Sequence, residues 1–162
     1  MKKAVCFLLA LGMGLLCCCA LAEQKVRLPE SGYRLTLPDG MEYDGPGKTL
    51  NAKDDAWFVY ASKKLGLEVQ FFCYENGEGA TLEYLAKALA ENSKDIAIQR
   101  ISGVDMIVYR VTDPDDPPES GMKCIGYVLT EGNMIQEICF WYANQAAADL
   151  TAEIISSIMD KD

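Results

Sequence analysis

Glu68 and Glu137 are the residues whose types and positions come nearest to acid–base chemistry. Each interrupts an apolar run with the alternation of a β-strand. A carboxylate on a sheet face that a helix covers could carry a raised pKa, which is what a general acid needs. A hydrolase using Glu68 or Glu137 is therefore one hypothesis. The competing interpretation is a solvated side chain between inward-pointing neighbours, and no partner group for catalysis is evident in the sequence.

The chain contains no histidine, which excludes histidine-activated nucleophiles and histidine metal sites. No glycine-rich loop follows a strand and opens a helix, so nucleotide chemistry has no support. We therefore expect no catalytic residue, no cofactor and no metal site, and we do not expect an enzyme.

A short acidic segment is the nearest approach to a cation site. Its acidic residues are Asp113, Asp115, Asp116 and Glu119, and prolines lie between them. Carboxylate oxygens suit calcium, so a calcium-responsive binding module is a second alternative. The segment lacks the spacing and turn glycine of an EF-hand loop, and a solvated loop is the simpler interpretation.

Three cysteines follow the first 22 residues: Cys73, Cys124 and Cys139. Their spacing does not match redox or zinc motifs, and buried thiols are expected. A Gly132-Asn133 turn would place Cys124 opposite Trp141, so that Cys124 and Cys139 are diagonal neighbours about 7–8 Å apart and not joined. A Glu131-Gly132 turn would instead place these two cysteines opposite each other, and Cys73 could approach either.

Several aromatic residues lie at strand edges and ends: Trp57, Phe58, Tyr60, Trp141 and Tyr142. Aromatic residues at strand spacing usually pack in a core. Any that are exposed together would form the best candidate for a partner surface.

The elements that must position these residues follow from hydrophobic periodicity and turn signals. A polar leader precedes a strand over 33–37, and residues 44–53 are predicted to be loop. Helices are predicted after the N-caps Thr81 and Asn144, the second reaching about Asp160. The other predicted strands form three hairpins: 56–62 with 67–74, 96–101 with 104–112, and 122–130 with 134–142. Hairpin-length links predict an α+β domain with an antiparallel sheet and helices packed on it.

Residues 1–22 have the pattern of an export signal: two lysines, an apolar stretch from Ala4 to Cys19, and Ala20-Leu21-Ala22 before Glu23. We expect cleavage after Ala22 and one mature domain over 23–162. A retained membrane anchor and lipidation at Cys17, Cys18 or Cys19 are the alternatives, and membrane contact is expected only with one of them.

The mature chain would hold 24 acidic and 13 basic residues, a formal charge of −11. Such a charge opposes binding to nucleic acid and to anionic lipid.

Three motifs carry a family resemblance: Tyr33-x-Leu-x-Leu-Pro-Asp-Gly40, Ile101-Ser-Gly-Val-Asp-Met-Ile-Val-Tyr109 and Ala152-Glu-Ile-Ile-Ser-Ser-Ile158. Together with the order of elements, they resemble the PsbP-like families of small exported bacterial proteins. The resemblance implies an antiparallel sheet between helices. It implies no activity, because members of this fold mostly bind or stabilise partners.

The sequence thus favours a secreted or extracytoplasmic, non-enzymatic binding or accessory module. Its expected partner is a protein or another component of the cell envelope. The hydrolase and the calcium-responsive module remain the alternatives.

Overall fold

The computed structural model describes residues 23–45, 58–91, 93–111 and 121–159. The elements in chain order are β1 (Gln24–Arg27), β2 (Arg34–Leu37), β3 (Glu42–Gly45), β4 (Phe58–Ser62), β5 (Leu67–Glu75), α1 (Leu82–Leu89), β6 (Ser93–Ile101), β7 (Val104–Val111), β8 (Lys123–Glu131), β9 (Met134–Tyr142) and α2 (Gln145–Ser156). The predicted signal peptide and the acidic segment Asp113–Glu119 lie outside the described residues.

Seven strands form one antiparallel sheet in the order β3-β4-β5-β9-β8-β7-β6, and β1 and β2 form a separate two-stranded sheet. The three predicted hairpins are present, and β9 joins the first hairpin to the third by pairing with β5. The predicted α+β fold, an antiparallel sheet flanked by helices, is confirmed. Within the described ranges, neither helix has the length and apolarity needed to cross a membrane.

The turn between β8 and β9 sets the register of the centre of the sheet. Gly132 adopts a φ of 61°, in the left-handed region that glycine accepts without steric cost. Glu131 therefore pairs with Met134, and Cys124 pairs with Trp141. The predicted Gly132-Asn133 turn and its register are confirmed.

One face of the sheet, here called the core face, is covered by α2 and the β1–β2 hairpin. On β5 the alternate residues Leu67, Val69 and Phe71 are buried against this layer. Ile154 and Ile158 are 2% and 1% exposed and lie within this core. The helix ends at Ser156 rather than near Asp160, because Met159 exchanges two backbone hydrogen bonds of 3.0 and 3.1 Å with Arg34 at the start of β2.

The opposite face, here called the outer face, is covered at one end by α1. Thr81 begins this helix as predicted, and its hydroxyl accepts a 3.3 Å hydrogen bond from the Tyr84 amide. The apolar side of α1 packs on Ile107, Tyr109 and Val128 of β7 and β8. The main contacts of α1 are with β6, β7 and β8, and Ile135 of β9 packs in the same apolar cluster.

Two short strands were not predicted. The segment predicted to be a polar leader forms β1, because Val26 and Leu28 are buried in the core. Hydrogen bonds also join the β1–β2 hairpin to the large sheet. The Gln136 side-chain amide donates to the Pro29 carbonyl at 2.6 Å, and the Glu131 carboxylate accepts from the Gly32 amide at 3.0 Å. Strand β3 takes the first residues of the predicted 44–53 loop into the edge of the sheet.

Candidate functional site

The two candidate carboxylates both lie on the outer face, but on separate parts of it. Glu68 pairs across the sheet with Trp141, and Glu137 pairs with Phe72, four residues further along β5. At about 3.3 Å per residue the two carboxylates are roughly 13 Å apart along the strands, beyond the spacing of a glycosidase-type carboxylate pair. The Gln70 side-chain amide donates a 2.7 Å hydrogen bond to the Glu68 carboxylate. The Glu68 and Glu137 carboxylates therefore lie in separate environments.

Glu137 is the acceptor at the centre of a polar cluster that the sequence did not predict. One carboxylate oxygen accepts from the Tyr109 hydroxyl and, at 3.9 Å, from the Cys139 thiol. The other oxygen accepts from the Tyr74 hydroxyl at 3.2 Å. Gly126 makes this possible, because the Tyr109 ring lies where a side chain at Gly126 would be. Three donors thus hold a half-buried carboxylate in place.

Two donors of this cluster, Tyr109 and Cys139, are held in their neutral forms by raised pKa values. Burial, assisted by Cys139 and Glu137, raises the pKa of the Tyr109 hydroxyl far above its ordinary value. A hydrogen bond with Cys124 raises the pKa of the Cys139 thiol, and burial and the Glu137 carboxylate act in the same direction. A thiol must ionise to act as a nucleophile, so Cys139 is suited to packing and hydrogen bonding rather than attack.

Cys73, Cys124 and Cys139 are buried, and no disulfide joins them. Cys124 and Cys139 are diagonal neighbours, because Gly126 rather than Cys124 pairs with Cys139. The prediction that they are not joined is confirmed, and Cys73 instead accepts a 3.2 Å hydrogen bond from the Gln136 amide.

The acidic candidates for calcium binding, Asp113 to Glu119, lie outside the described residues. Within the described ranges no group of three or more potential metal-ligating side chains is present.

The predicted aromatic set divides between core and surface. Trp57 lies outside the described residues, and Trp141 is 8% exposed among Cys124, Cys139 and neighbouring apolar groups. Tyr142 is half-buried at the end of β9 and packs against the apolar residues of the core face. Phe58 and Tyr60, also half-buried, lie on the core face of β4 near the edge of the sheet.

Tyr43 was not predicted and completes an exposed aromatic group with Phe58 and Tyr60. Tyr43 is 53% exposed, and its ring centroid lies 6.1 Å from that of Phe58 and 5.4 Å from that of Tyr60. The Tyr60 ring packs edge-to-face against the buried Phe71 ring, which restricts its movement. Burial and the neighbouring Tyr43 raise the pKa of the Tyr60 hydroxyl, so it remains a donor near neutral pH.

These rings and strand β1 enclose what we call the aromatic cleft, a concavity of about 340 Å³ lined by Lys25, Val26, Arg27, Tyr43, Phe58 and Tyr60. The two charged residues in its described lining, Lys25 and Arg27, are basic, although the chain as a whole carries a net charge of −9. The Arg27 side chain donates a 2.7 Å hydrogen bond to the Ser31 carbonyl, which orients its guanidinium. The cleft therefore combines one exposed and two half-buried aromatic rings with positive charge.

No family model matches this chain, and no characterised protein matches its sequence. Several solved structures share its fold. The solution structure of cyanobacterial PsbP (CyanoP) from Synechocystis sp. PCC 6803 superposes with a TM-score of 0.62 at 12% identity, covering 86% of this chain and 93% of the other. A crystal structure from Bacteroides thetaiotaomicron VPI-5482 gives a TM-score of 0.58 at 12% identity over 86% of this chain. The match covers 48% of the Bacteroides chain, so this protein spans about half of that chain's length. The fold is PsbP-like, as the sequence motifs predicted.

Proposed function

We propose that this protein is an exported, non-enzymatic binding or accessory module that acts at or outside the cell envelope. Its partner would be a protein or another envelope component, held at the aromatic cleft. The single observation that carries the proposal is the exposure of Tyr43 within a packed aromatic group beside two basic side chains. The export signal predicted for residues 1–22 supports the location.

The physical chemistry of the cleft suits recognition. A tyrosine ring offers a large apolar surface with a polar end, and tyrosine and arginine are enriched among the residues that dominate binding energy. Contacts with Phe58 and Tyr60 restrict the Tyr43 ring before binding, so less side-chain entropy is lost on association. Lys25 and Arg27 would favour acidic groups on the partner.

The surroundings of the two strand carboxylates support binding rather than hydrolysis. Glu68 and Glu137 do not face each other across a cleft, and both Glu137 oxygens already accept hydrogen bonds. The raised pKa of the Tyr109 hydroxyl keeps its hydrogen bond to Glu137 at neutral pH. No observation in the described part of the chain favours the hydrolase or the calcium-responsive module.

A pull-down from the envelope extract of the exporting organism tests the proposal. The bait is the wild-type protein, a Tyr43→Ala variant, or a Tyr84→Ala variant. Tyr84 is the matched control because it is 64% exposed on α1, away from the cleft. We expect one dominant captured component that Tyr43→Ala loses by about ten-fold or more, since truncating a hot-spot residue costs about 2 kcal/mol or more. Equal capture by all three baits would contradict the cleft as the contact surface.

A further inference from the structure

A second concavity, here called the helix groove, lies on the core face between α2 and strands β6–β8. Its volume is about 500 Å³, within the range of small-molecule sites. It adjoins the edge strand β6, whereas the aromatic cleft adjoins the opposite edge strand β3. Apolar side chains of Val108, Ile125 and Ile155 contribute to its lining. The helix groove and the aromatic cleft are therefore separate sites.

Tyr127 supplies a fixed hydrogen-bond donor to the helix groove. This residue lines the groove, is 5% exposed, and packs edge-to-face on Phe140 with ring centroids 5.7 Å apart. The Tyr127 hydroxyl makes no hydrogen bond to any described residue. By contrast, the Tyr109 hydroxyl on the outer face donates to Glu137. Burial raises the pKa of Tyr127 while the Arg110 charge partly opposes that rise, so the hydroxyl stays protonated near neutral pH.

Arg110 supplies positive charge at the same groove. Its only ion pair among the described residues joins Nε to the Asp95 carboxylate at 3.9 Å, and its side chain is 59% exposed. A guanidinium carries five N–H donors in a planar fork that matches a carboxylate. Asp95 also lines the groove, but it meets Arg110 only through this long contact to Nε, and the terminal nitrogens form no ion pair with a described residue.

We propose that the helix groove binds a small amphiphilic monocarboxylate, such as a medium-chain fatty acid. The carboxylate would accept hydrogen bonds from the Arg110 guanidinium and the Tyr127 hydroxyl. The aliphatic chain would lie on the half-buried side chains of Val108 and Ile125, beside the buried Ile155, and would remove the exposed part of Val108 and Ile125 from water. This assignment is independent of the proposed partner at the aromatic cleft.

The test is a titration of the purified protein with octanoate, followed by the NMR shifts of the Ile125 and Ile155 methyl groups. The neutral probe 1-octanol is titrated in parallel. We expect saturable shifts with octanoate and binding about ten-fold weaker with octanol, since a hydrogen bond to a charged group contributes about 1.5–3 kcal/mol. Absence of saturable shifts, or equal binding of the two probes, would overturn the proposal.

Matched variants locate the site. Arg110→Gln is compared with the control Arg100→Gln. The control removes an arginine of β6 whose guanidinium pairs with the Asp105 carboxylate of β7 at 3.3 Å. Ala152→Trp, at an exposed lining position of α2, is compared with Ala146→Trp, exposed on the same helix outside the lining. Octanoate binding should weaken about ten-fold in Arg110→Gln and be lost in Ala152→Trp, with both controls unchanged. Tyr127→Phe, which keeps the core ring, should weaken binding several-fold. Unchanged binding in Arg110→Gln and Ala152→Trp would refute the site.

Discussion

Gly126→Ala is expected to destabilise the protein far more than an alanine substitution usually does in a strand. A methyl group at Gly126 would overlap the Tyr109 ring at Cζ, Cε1 and the hydroxyl oxygen, so the ring must move. Tyr109 is 3% exposed and lies under α1, where little free space remains. Overpacking of a core costs about 1–3 kcal/mol. Moving the ring also breaks the hydrogen bond between its hydroxyl and the Glu137 carboxylate, and a bond to a charged group contributes about 1.5–3 kcal/mol.

The two effects together predict a loss of about 2.5–6 kcal/mol in the free energy of unfolding, a large share of the roughly 5–15 kcal/mol typical of a domain. Urea denaturation followed by circular dichroism measures this loss. Gly77→Ala is the control, because Gly77 has nothing within 4 Å of the added methyl and its φ is not in the left-handed region. That control should change stability by less than about 0.5 kcal/mol.

A double-substitution cycle distinguishes the contact from other causes. Tyr109→Ala removes the ring that the methyl would strike, so adding Gly126→Ala to that background should cost little, and the two effects should be strongly non-additive. If Gly126→Ala and Gly77→Ala had equal unfolding free energies, the packing of Tyr109 over Gly126 would be wrong.

Four further outcomes are expected. Intact-mass analysis of exported protein should show a mature chain that begins at Glu23, and an acylated cysteine start would contradict this. Ile154→Ala should cost about 2–5 kcal/mol, because the side chain is 2% exposed in the core, and an unmoved melting temperature would refute that packing. Calorimetry should detect weak calcium binding or none, and a micromolar dissociation constant lost in Asp115→Asn would support the calcium hypothesis. Thiol counting on denatured, unreduced mature protein should give three free thiols, whereas one free thiol would reveal a disulfide.

The long hairpins were predictable because their signals are local. On β5 the sequence alternates, and the alternate residues Leu67, Val69 and Phe71 are buried in the structure while their neighbours are half-buried. The Gly132-Asn133 turn sets the register of β8 and β9. The four-residue strands β1 and β3 were missed, since so few residues show no clear alternation. Their place depends on distant contacts, such as the hydrogen bond from Gln136 to Pro29.

The candidate sites were less predictable than the fold for the same reason. Tyr43 reaches Phe58 and Tyr60 only because β3 pairs with β4, and Lys25 and Arg27 arrive on a strand of a different sheet. Glu137 was identified as a carboxylate of interest, but its contact with Tyr109, two strands away on β7, depends on the space that Gly126 leaves on the intervening strand β8. No short-range pattern encodes these contacts.

Site-specific photocross-linking in the exporting cell tests the central proposal most directly. A photoreactive amino acid replaces Tyr43 in one strain and Tyr84, the exposed tyrosine on α1, in another. If the aromatic cleft holds the envelope partner, irradiation should yield a discrete adduct from position 43 and none from position 84. Identical adduct patterns from both positions, or no adduct from position 43 in exported protein, would contradict the account.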